Sequence, residues 1–282
     1  MIIEFLCNHR VDSVVGLLGR ITEKRKILID VSKSFVLFGC CEFDSRTMGS
    51  VGGIPMLNVK MLIIQVAGMF VVFAFALFLP AGTIAWFAGW AYLILFFGFV
   101  IVLSLWLVKF NPSLLTERMT GIGKKDQKSW DKAWFALTNV LFFGWLVLMP
   151  LDAVRFHWSH VPMWLQIVGA FLLLISFYCF YLVFRENSYL SPAVRVQSER
   201  EQTVITTGPY SIVRHPMYAT AVIFLIGTGL LLGSWYGLIV SLGIVVAIAW
   251  RAVQEEHALL LELPGYDEYL SKVKYRLVPY VW

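Results

Sequence analysis

The stretch Met217–Trp250, MYATAVIFLIGTGLLLGSWYGLIVSLGIVVAIAW, decides how this chain folds. It is too long for a single membrane-crossing helix, which needs roughly 20 apolar residues, and it is cut near its middle by GSWYG at Gly233–Gly237. It therefore reads as a tight hairpin of two short spans. Within it, Gly229 and Gly233 stand at small-x-x-x-small spacing, which permits close packing of the two helices.

Four more apolar runs precede the hairpin: Met61–Pro80, Ile84–Val108, Ala133–Leu151 and Met163–Phe184. Each is long enough to cross the hydrocarbon core as a helix that satisfies its own backbone amides. With 59% hydrophobic and 15% charged residues, the chain lies outside the composition of soluble globular domains. The expected fold is an all-α integral membrane protein with about six transmembrane helices. It divides into residues 1–60, residues 61–184 with four spans, and residues 185–282 with a loop, the hairpin and a tail.

Basic residues give the expected orientation, because cytoplasmic connections carry the excess of Lys and Arg. Of the 23 basic residues, only Arg155 falls on the far side under a six-span threading. The loop Lys109–Lys132, the loop Arg185–His215 and the tail then come out cytoplasmic. The pI near 9.0 needs no nucleic acid, since basic loops against an anionic leaflet account for it. Residues 1–60 contain no spanning run and are expected to be a poorly ordered extension. Cys7, Cys40, Cys41 and Cys179 have neither zinc-site nor disulfide-framework spacing.

The polar residues concentrate around the hairpin. TGPY at Thr207–Tyr210 reads as a turn, with Gly208 free to take positive φ. Pro216 suits the first turn of a helix, where its missing N–H costs nothing. From Trp235, about 16 residues of helix at roughly 1.5 Å each return to the depth of His215 and end at Arg251. Glu255 lies one turn further, on the same face as Arg251, and Glu256 follows it. Interfacial anchoring explains any one of these groups; two glutamates beside an arginine at a hydrocarbon boundary call for a ligand or partner.

TVITTGPYSIVRHPMY followed by RAVQEEHALLLELPGYDEYLSKVKYRLVP resembles the C-terminal half of the isoprenylcysteine carboxyl methyltransferases and related membrane methyltransferases. The resemblance covers roughly residues 187–279. It implies S-adenosylmethionine as methyl donor, held on the cytoplasmic side. Carried over by position, the implied cofactor contacts are Gln197, Gln202, Thr203, Val204, Ile205, Tyr210, His215, Pro216, Met217, Tyr218 and Glu255. Gln202 stands where a histidine is familiar in the family. The implied substrate contact is Arg251, which with Glu255 forms the expected catalytic pair.

These residue types suit the chemistry. Tyrosines can cover an adenine, imidazole and loop amides can bond its edge, and Glu255 can meet a cation. A carboxylate or thiolate acceptor needs dehydration and alignment rather than a general base. Arg251 would orient an acceptor carboxylate by paired N–H bonds. An ammonium acceptor, as in phospholipid N-methylation, would instead need Glu255 or Glu256 to take its proton. A small thiol is a third acceptor class, and a transporter or sensor is the reading of another kind. The expected partners are a lipophilic or small-molecule acceptor and membrane lipids, without nucleic acid or metal. His157 and His160 in HWSH lack companion ligands, GIGKK at Gly121–Lys125 lacks the context of a phosphate loop, and His257 reads as a solvated residue.

Overall fold

The computed structural model describes residues 59–120, 129–194, 196–197 and 200–282, with the backbone of a short antiparallel pairing, Ser50–Val51 against Ile54–Pro55. The expected N-terminal extension falls almost wholly outside the described residues, as do Cys7, Cys40, Cys41 and the GIGKK turn.

Among the described residues, eight α-helices follow one another: α1 Val59–Ala81, α2 Phe87–Phe110, α3 Pro112–Thr120, α4 Ser129–Pro150, α5 Met163–Glu186, α6 Pro216–Leu231, α7 Trp235–Glu262 and α8 Tyr266–Lys272. Helices α1, α2, α5 and α7, together with α4 continued through the π turn Leu151–Arg155, are long and apolar enough to cross a membrane. The hairpin is present but unequal. Helix α6 has 16 residues, roughly 24 Å of helix, against a hydrocarbon core of about 30 Å. Five full-length helices and one short one thus stand where six spans were expected.

The inequality positions the site. Helix α7 has 28 residues, roughly 42 Å, so its C-terminal turns run past the start of α6 and carry Arg251, Glu255 and Glu256 there.

Between helices in lipid the stabilising contacts are packing contacts, since acyl chains are as apolar as leucine. Phe73 of α1 stacks on Phe96 of α2 at 5.1 Å, and Phe224 of α6 lies 6.0 Å from Phe96 and 6.2 Å from Phe177 of α5. Helices α5 and α6 approach most closely at two glycines. A Cβ on Gly169 would meet Leu231 N at 2.4 Å, and one on Gly227 would meet Gly169 O at 3.0 Å.

The far end of the hairpin is pinned by buried Asp152. Its Oδ2 accepts from Ser159 at 2.6 Å and Ser234 at 2.5 Å, joining the π turn, the loop before α5 and the α6–α7 turn. Gly233 makes that turn at φ +79°, and Ser234 caps α7 by accepting from Gly237 N at 2.8 Å.

Candidate functional site

The TGPY turn is a short 3-10 helix, Gly208–Ser211. Gly208 has φ +57°, a conformation that favours glycine. Pro216 opens α6. Just before it, Arg214 N and His215 N donate to Tyr275 O and Arg276 O at 2.9 Å each, which lays the C-terminal segment along the start of the helix.

Glu256 reinforces this seam. Its Oε1 lies 2.8 Å from Arg214 Nε and 3.2 Å from His215 Nε2, and its Oε2 accepts from Arg276 Nε at 2.8 Å. Tyr269 donates to Tyr210 O at 2.7 Å, while Asn187 donates to the Tyr210 hydroxyl at 2.8 Å. Burial pushes the Tyr210, Tyr266 and Tyr269 hydroxyls above the ordinary phenol range, which keeps them neutral.

These elements enclose a polar chamber of about 870 Å³, the space at its mouth included. Gln202, Thr203, Val204, Ile205, Tyr210, His215, Pro216, Met217, Tyr218 and Glu255 all line it. Gln197 does not. It is fully buried, its Nε2 donating to Tyr189 O at 2.6 Å and its Oε1 accepting from Arg200 at 2.8 Å. Its backbone N donates to Gln202 Oε1 at 2.8 Å, so Gln197 braces the segment that faces the chamber.

Arg251 faces a second, apolar chamber of about 1,030 Å³, which Phe142, Phe180, Phe224, Ile244 and Ile248 line toward the bundle interior. Its Nη2 donates to Pro192 O at 2.7 Å and lies 3.0 Å from Asp131 Oδ1. Both two-pronged edges of a guanidinium include this nitrogen, so the paired N–H bonds expected for an acceptor carboxylate meet an edge already engaged. Arg251 pairs with Asp131 rather than with Glu255 at i+4.

Glu255 accepts from the Tyr218 hydroxyl at 2.6 Å, and both residues line both chambers, as do Met217, Ser191, Ala193 and Val194. The two cavities therefore share a wall, polar on one side and apolar on the other. Such an arrangement can hold a polar donor and a lipophilic acceptor on opposite faces of one short partition.

Several contributors were not singled out in the sequence. Tyr266 and Tyr269 reach the polar chamber from α8, and Asp131, Trp134 and Phe135 surround Arg251 from α4. Asp131 sits in SWDK, at the end of the loop Lys109–Lys132 expected on the cytoplasmic side, yet it lies in the first turn of α4 and is fully buried. The set-aside histidines 157, 160 and 257 are exposed, and among the described residues no group of three or more His, Cys, Asp or Glu is placed to hold a metal.

The six residues that line both chambers, and both helices of the hairpin, lie between residues 164 and 263. A nickel-cobalt-cadmium resistance protein, NccN, of Alcaligenes xylosoxydans xylosoxydans is 32% identical over 82 residues, 28% of this chain. The aligned part spans 38% of that relative's length. The segment 164–263, from α5 through α7, matches the phospholipid methyltransferase family, which includes the isoprenylcysteine carboxyl methyltransferases that the two motifs resemble.

Proposed function

We propose that the chain is an integral membrane methyltransferase that uses S-adenosylmethionine and transfers its methyl group to a carboxylate of a lipophilic acceptor, with the site at the cytoplasmic face. The observation that carries this reading is the shared wall: Tyr218 and Glu255 stand between a polar chamber and an apolar one.

The residues of the polar chamber fit the donor. Glu255 offers an anion to its cationic end, and Tyr210, Tyr266, Tyr269 and His215 offer aromatic faces and hydrogen-bonding edges to its adenosine end. When bound, S-adenosylmethionine supplies an electrophilic methyl group. The chain's own contribution is to bind, align and exclude water. The apolar chamber strips water from the acceptor, which strengthens an anionic nucleophile. Arg251 sits at its polar end, where it can steer a carboxylate. Alignment across one wall turns a two-substrate encounter into a nearly unimolecular step.

An amine acceptor is the second reading, favoured by the engaged Nη2 of Arg251 and by the position of Glu255 on both chambers. There Glu255 would take the proton that an ammonium must lose. The metal resistance named for NccN provides no acceptor.

Purified protein in lipid nanodiscs with methyl-labelled S-adenosylmethionine distinguishes the readings. The acceptors are N-acetyl-S-farnesylcysteine, phosphatidylethanolamine and dodecanethiol. Label in the first supports the carboxylate reading, and label in the second alone supports the amine reading. Label in neither lipid, with dodecanethiol methylated, makes it a thiol enzyme.

A further inference from the structure

Arg251 is held from three directions, and one residue organises two of them. Asp131, Trp134 and Phe135 stand at i, i+3 and i+4 on α4 and so share a face. The Arg251 guanidinium lies 4.1 Å from the Trp134 ring centre and 4.8 Å from that of Phe135, while Asp131 Oδ1 lies 3.0 Å from Nη2. The other carboxylate oxygen, Oδ2, accepts from Val194 N at 3.0 Å.

Val194 belongs to the wall. Residues Ser191, Ala193 and Val194 line both chambers, and Pro192 O accepts from Arg251. The same strip is fastened at its other end by Ser191, which donates to Glu117 Oε1 on α3 at 3.0 Å. One buried carboxylate therefore fixes the acceptor-side cation to the strip that separates acceptor from donor. A long cationic side chain in apolar surroundings swings toward water when nothing holds it. Asp131 and the two rings hold it.

We propose that Asp131 is a positioning residue for methyl transfer: by tying Arg251 to the 191–194 strip it fixes the acceptor's polar end relative to the donor chamber. The inference rests on the methyltransferase reading above. It concerns a residue outside the matched segment 164–263. Asp131 acts through Arg251 and touches neither substrate. Its loss degrades alignment, and a displacement of about 1 Å at a reacting centre costs on the order of a hundredfold in rate.

The test is a double-mutant cycle on the full chain in nanodiscs, with Asp131→Asn, Arg251→Gln and the two combined. Asparagine keeps an oxygen for Val194 N and removes the charge that faces Arg251. For each protein, S-adenosylmethionine affinity is measured, and kcat and KM are measured for whichever of the three acceptors the unaltered chain methylates. Asp131→Asn is expected to lower kcat about tenfold to a hundredfold while donor affinity stays within about threefold. The combined variant is expected to lie within about threefold of Arg251→Gln alone, because coupled residues do not add.

Losses that multiply, or a kcat for Asp131→Asn within about threefold of the unaltered chain, overturn the proposal. If Asp131→Asn fails to fold, Asp131→Glu, which keeps the charge and lengthens the tie by one methylene, decides: a kcat lowered about tenfold or more with donor affinity within about threefold supports the proposal, and a kcat within about threefold of the unaltered chain overturns it. An unaltered chain that neither binds the donor nor methylates any of the three acceptors overturns the methyltransferase reading and this inference with it. An active unaltered chain with an additive cycle overturns the inference alone.

Discussion

The Tyr218 hydroxyl donates to Glu255 Oε2 at 2.6 Å, joining the first turn of α6 to the sixth turn of α7 where the two chambers meet. A hydrogen bond to a carboxylate contributes about 1.5–3 kcal/mol. It also fixes the direction in which the remaining carboxylate oxygen points.

Tyr218→Phe is therefore expected to weaken S-adenosylmethionine binding about threefold to tenfold, with the fold intact. Equilibrium binding of labelled donor checks this. Affinity equal to that of the unaltered chain would show that the hydroxyl does not set the carboxylate's direction.

Arg251 and Glu255 are expected to separate kinetically. Arg251→Ala should abolish turnover while keeping donor affinity better than Glu255→Ala does, because Arg251 lines the apolar chamber alone of the two. Equal loss of donor binding in both variants would reverse the assigned roles. Arg251→Ala also removes one partner of a buried ion pair, a change that costs about 3–5 kcal/mol, so a lowered thermal midpoint should accompany it.

Glu256 predicts a local effect. It engages Arg214, His215 and Arg276 together. Glu256→Gln should loosen the C-terminal segment, seen as faster proteolytic cleavage beyond Lys272, and weaken donor binding about tenfold through the displaced Tyr269. Unchanged cleavage would mean that the backbone pairing of Arg214 and His215 suffices.

The helix seam gives a test of packing independent of activity. Gly169→Ala places a methyl group 2.4 Å from Leu231 N, and overpacking of this kind costs about 1–3 kcal/mol. Gly98→Ala meets nothing within 4 Å. Thermal unfolding in detergent should show a fall for the first and little change for the second. Equal midpoints would contradict the close approach of α5 and α6.

What could be read from the chain depended on whether position followed from local geometry. The juxtaposition of His215 and Tyr218 with Arg251 and Glu255 was legible because one hairpin and the rise per residue set it. Gln202–Ile205 and Tyr210 were legible through family resemblance, since no local rule brings an extended loop back to a helix start. Gln197 lies behind the chamber wall rather than in it because its polar amide is spent on Tyr189 and Arg200, which only the folded loop reveals. Asp131 escaped because its partner is 120 residues away and its neighbours are charged. The long apolar helices were legible from hydropathy, whereas the shortness of α6 depends on where the turn at Gly233 and the break before Pro216 fall.

The central claim is that the polar chamber holds a methyl donor against Glu255. Equilibrium binding of labelled S-adenosylmethionine to the purified chain, beside Glu255→Ala, tests it most directly. The account predicts saturable binding that weakens tenfold or more in the variant. Absence of saturable binding to the unaltered chain, or identical binding by both proteins, would contradict it.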